Sequence, residues 1–187
     1  MESAEHLAQA ILLRTHGIQV LLWEYKTDLV RALLLLKSVL TDFPDSPIYL
    51  PIEQSELQKL SIHLYEDAQL GVKKRWFILI PQASTDAVGA WLNGWRRRLS
   101  EEPGTVLVIR RADYGPLCRR APDIMSFVNS EVHEAGGLLP LADRRTLSQL
   151  TDRLPHAWYT SLQMLPGDLP EQGEITEWTK ELIQHSS

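Results

Sequence analysis

Short runs of uninterrupted apolar residues alternate along this chain with longer stretches in which apolar positions recur every three or four residues. The first kind reads as strands buried on both faces, the second as amphipathic helices. Leu7, Ala8, Ile11 and Leu12 share one face of a helix over 4–14, and residues 18–24 form the first strand, near-continuously apolar from Ile18 to Trp23. Thr27 or Asp28 can cap a helix running to about Asp42, where Phe43–Pro44 breaks it. A second strand, PIYLPI at 47–52, is flanked by prolines and reads as an edge. Leu57, Leu60, Leu64 and Tyr65 mark a helix from Ser55 to near Gly71, and WFILI at 76–80 is apolar at every position. Thr85 or Asp86 starts a helix to about Glu102, Pro103–Gly104 ends it, and TVLVI at 105–109 follows as a second fully buried strand.

Strands alternating with helices at this spacing imply right-handed crossovers and a mainly parallel α/β sheet. The expectation is a three-layer arrangement of four to five strands with helices on both faces. Strand order is expected as 2-3-4-1 or a close relative, with 76–80 and 105–109 central. Past Arg120 the pattern weakens: a helical turn at 122–128 leads into a fifth strand, and Gly136–Gly137 marks a turn. Helices are expected at 143–153, 156–165 and, after the linker PGDLPEQG, at 174–184. This divides the chain into an α/β domain at 1–130 and a small helical extension at 131–187.

Composition narrows the class. In 187 residues, 44% hydrophobic and 23% charged, an ordinary globular core can be buried. The apolar run Ala32 to Leu36, which no other run exceeds, is far short of the roughly 20 residues that cross a bilayer. Glu2 and Glu5 stand where a secretory signal would carry positive charge, so a cytoplasmic setting with no membrane partner is expected. A single cysteine, Cys118, leaves no internal disulfide and no zinc cluster. Charge is uneven: residues 73–120 hold ten Lys/Arg against four Asp/Glu, in a chain whose net charge is −5. Such a block can answer the chain's own acids, or meet an acidic partner.

The junction after the first strand tests for nucleotide chemistry. A phosphate loop needs glycines so that backbone N–H groups can wrap the anion, then a lysine and a hydroxyl. Here Trp23 to Asp28 supplies Lys26 and Thr27 in the right order and no glycine. A metal-holding acid should end the third strand, and Pro81–Gln82 stands there. Arg110–Arg111 ends the fourth strand, where an arginine can sense phosphate. The six histidines show no metal spacing, and neither GxSxG nor GxGxxG occurs, so no catalytic, metal or cofactor residue is assigned. Should a nucleotide bind, Lys26, Thr27, Arg110 and Arg111 would hold it. In AWLNGWRRRLS, Trp91, Leu92, Trp95 and Leu99 form an apolar stripe, with Arg96, Arg97 and Arg98 on or beside the opposite arc. That helix covers a sheet with a snorkelling face, or anchors a partner through Trp and Arg. Trp178, on the last helix with Ile175 and Leu182, is a further contact candidate.

With the strands 18–24, 48–52, 76–80 and 105–109 in place, together with Leu92–Asn93, GTVLVI and Arg120–Ala121–Pro122–Asp123, the chain from Ile11 to Phe127 resembles the nucleotide-binding domain of STAND-type P-loop ATPases. Its likeness is strongest to their inactivated relatives. The resemblance implies a P-loop NTPase-like fold in which the phosphate-loop and acid slots have departed from the motif and only Arg110 or Arg111 matches the sensor. It implies a non-catalytic adaptor, not an enzyme, acting beside a larger effector, protease or repeat protein in bacterial defence or signalling. Two alternatives stand beside it: a divergent nucleotide-binding switch or NTPase, and a nucleic-acid-binding module using the 73–120 block. An acidic chain without a recognised nucleic-acid motif argues against the last.

Overall fold

The computed structural model describes residues 4–39, 48–49, 54–73, 75–80, 86–136 and 162–163. In chain order these form α1 (Ala4–Leu13), β1 (Ile18–Trp23), α2 (Lys26–Val39), β2 (Ile48–Tyr49), α3 (Gln54–Gln69), β3 (Trp76–Ile80), α4 (Asp86–Ser100), β4 (Thr105–Arg110), α5 (Arg111–Arg120), α6 (Pro122–Met125) and β5 (Val128–Glu134). The strands make one sheet in the order β2-β3-β4-β1-β5, with every pairing parallel. The expected order 2-3-4-1 therefore holds, with β5 added beyond β1. β3 and β4 are interior and buried along their apolar length.

The pleat sends alternate residues to opposite faces, and each face has its own core. Leu21, Trp23, Phe77, Leu79, Val106 and Val108 pack under α1 and α2. Ile18, Val20, Leu22, Ile78, Leu107 and Ile109 pack against the helices of the other face, including α3 and α4. Two buried polar residues tie α1 down. The Arg75 guanidinium, on a residue 3% exposed, donates from Nη1 to the carbonyls of Ile11 and Arg14, both at 3.0 Å. Gln19 Nε2 donates to the Ile11 carbonyl at 3.3 Å, leaving its Oε1 to accept from His133 Nε2 at 3.0 Å. A helix C-terminus carries carbonyls with no partner in the helix, and here the sheet supplies the donors.

The lower ends of β1 and β4 meet at two glycines. Gly17 N donates to Ser100 O at 2.6 Å, and Thr105 N to Gly17 O at 3.2 Å. Thr105 Oγ1 donates to Leu99 O at 2.6 Å, so the last carbonyls of α4 are satisfied by the strands it precedes or neighbours. Gly104, at φ +90°, lies so close that a Cβ there would stand 2.7 Å from Gly17 O.

Three expectations change. α2 starts at Lys26, because Tyr25 O already accepts from Asp28 N and Leu29 N, and Asp28 therefore lies in the first turn instead of capping it. α5 follows β4 with no loop, Arg110 being both the last strand residue and the helix N-cap. The expected boundary at residue 130 falls inside β5, whose pairing with β1 keeps 131–134 in the sheet. Apart from 162–163, where Leu162 is buried in the first core, the expected C-terminal helices lie outside the described residues. Among the described residues, no helix is long and apolar enough to cross a membrane.

Candidate functional site

Parallel α/β sheets place ligands beyond the C-terminal ends of their strands. At that end of β1, β4 and β5 is a depression of about 330 Å³ lined by Glu24, Tyr25, Asp28, Arg111, Glu134 and Gly136. It is the position where the junction after β1 would hold phosphate. Three carboxylates and one guanidinium line it, a balance that repels an anion. Gly136 lies against α2, where an added Cβ would come 3.5 Å from Asp28 Oδ2.

The one cation in this lining is already engaged. Arg111 forms an ion pair with Glu134, both side chains about half exposed. β4 and β5 are the two neighbours of β1, so the pair crosses the C-terminal end of β1, a span of about 10 Å between those strands. The arginine expected to sense phosphate thus closes over the junction as part of an internal pair. Arg110 caps α5 through its backbone and makes no side-chain capping bond.

The other junction residues do not converge on the depression. Trp23, 2% exposed, turns inward and joins the core under α1 and α2, while Tyr25 is 65% exposed. Lys26 is buried, already partnered, and does not line the depression. Thr27 is the second residue of α2 in the backbone, but its side chain lies outside the described residues, as do Pro81 and Gln82. Among the described residues, no group of three His, Cys, Asp or Glu side chains is placed to hold a metal ion.

The α4 candidates divide by direction. Trp91 and Trp95 are half-buried and stacked, with centroids 6.0 Å apart and planes at 27°. Trp91 Nε1 donates to Ser61 Oγ of α3 at 2.9 Å, so this edge of α4 faces α3. The three arginines do not form one solvent-facing arc, contrary to expectation. Arg96 turns back to the carbonyl of Asn93, whose own Oδ1 accepts from Ile124 N on α6. Arg97 is exposed. Arg98, its side chain 23% exposed, pairs with Glu101 at 3.0 Å on the Trp91–Trp95 side. Trp178 lies outside the described residues.

Much of the basic block answers acids of the same chain. Lys73 pairs with Glu102 at 3.4 Å, Arg98 with Glu101, Arg111 with Glu134 and Arg120 with Asp86. Arg75 spends its charge on the α1 carbonyls. On α5, Tyr114 and Cys118 sit one turn apart, and burial first, then the charge of Cys118 and its hydrogen bond, raise the Tyr114 hydroxyl above its ordinary value. Glu134 escaped sequence reasoning, since it belongs to a polar strand with no visible motif. Tyr65, expected with the apolar positions of its helix, is instead exposed, one turn beyond Ser61.

No family model matches this sequence, and no curated protein does. Among solved structures the chain is similar to a DNA polymerase III gamma subunit-related protein from Thermotoga maritima, at 16% identity and a TM-score of 0.47. The match covers 98% of this chain and 58% of that one, so this chain spans well under two thirds of that protein's length. The fold described above rests on the sheet order and its two cores, not on this likeness.

Proposed function

We propose that this chain is a non-catalytic scaffold, a three-layer P-loop NTPase-like domain that works by protein contact beside a larger effector in a bacterial defence or signalling system. The Arg111–Glu134 pair carries the reading. It lies across the end of β1, where a nucleotide hydrolase would wrap phosphate, and the surrounding lining is acidic through Glu24 and Asp28. A phosphate arriving there would have to displace Glu134 from Arg111 and face two further carboxylates without a glycine loop. Contact with a partner falls to α4, where Trp91, Trp95 and Arg98 combine the residue types that anchor interfaces. Calorimetry with Mg·ATP and Mg·GTP tests the reading. No measurable heat of binding is expected for either, and micromolar affinity for one of them would overturn it.

A further inference from the structure

We draw no further inference here: the strongest candidate, the acidic depression at the C-terminal ends of β1, β4 and β5, where Glu24 and Asp28 flank the exposed Tyr25, belongs to the site already described, and nothing in the structure shows what would occupy it.

Discussion

Replacing Gly104 by alanine should cost far more than the same change at Gly71, and the difference can be worked out from the two backbones. Both glycines have positive φ, +90° at Gly104 and +66° at Gly71. Holding an alanine in that region costs on the order of 1 kcal/mol. Both substitutions also stiffen the unfolded chain by a similar few tenths of a kcal/mol to about 1 kcal/mol, a term that cancels between them. Around Gly71 there is open space, with nothing within 4 Å of an added Cβ. At Gly104 the Cβ would meet Gly17 O at 2.7 Å, a backbone atom that accepts from Thr105 N in the bond that starts the β1–β4 ladder. Relief requires parting two central strands at their first bond, which adds about 1–3 kcal/mol of overpacking strain. The expectation is a loss of about 1 kcal/mol or less for Gly71→Ala and about 2–4 kcal/mol for Gly104→Ala, a large share of a typical domain's 5–15 kcal/mol. Urea unfolding followed by tryptophan fluorescence reads both, with an unchanged slope showing that the same surface unfolds. If the two variants fall within about 0.5 kcal/mol of each other, the close approach of Gly104 to Gly17 is not what governs this corner.

Leu79→Asp places an unpaired carboxylate in the first core and should prevent folding; a soluble variant with the wild-type melting temperature would contradict the burial of β3 on both faces. Trp91→Phe removes the donor to Ser61 Oγ and should cost about 0.5–1.5 kcal/mol, and the double variant with Ser61→Ala, which also removes the Ser61 bond to Leu57 O, should lose less than the sum of the two single losses; additive losses would show that the bond does not couple α3 to α4. The raised Tyr114 hydroxyl means that the folded chain keeps a proton which the unfolded chain releases near pH 10. Its contribution is complete below that pH and is lost as pH rises through the higher folded-state value, so above about pH 10 stability should fall more steeply in the wild type than in Tyr114→Phe. Parallel profiles for the two proteins would remove Tyr114 as the cause.

The central strands were legible because burial on both faces forbids polar interruptions, and WFILI and TVLVI have none. β5 was harder: among the described strands VNSEVHE lies at one end of the sheet order, beside β1, and carries the polar residues that such a position tolerates. α5 has weak signals in the sequence, because Gly115 and Pro116 are poor helix formers and its N-cap is an arginine that gives no capping bond. The absent glycines and Arg111 could be placed from sequence because both depend only on where a strand ends. The Arg111–Glu134 pair could not, because it exists only once the sheet order puts β5 on the far side of β1 from β4. The direction of Arg96, Arg97 and Arg98 was misjudged for a related reason. A helix with neighbours on both sides, α3 on one and α6 on the other, has a narrower exposed arc than its own periodicity suggests.

The sheet order also sets a schedule for the chain as it is made. β1 leaves the ribosome well before both its partners, Ile18 pairing with Thr105 on one side and Val128 on the other. The helix before it waits as well, since the guanidinium that closes α1 belongs to Arg75. Closing such distant contacts is entropically costly and slow, and the nascent chain must carry an apolar strand with two open edges until β4 and β5 have been synthesised. β3 and β4, adjacent in both sequence and space, can form first and offer β1 its template. Aggregation during synthesis is therefore expected to be governed by how long Ile18 to Trp23 stays uncovered, and slowing elongation after Ile80 should depress the soluble yield more than slowing it after Glu134.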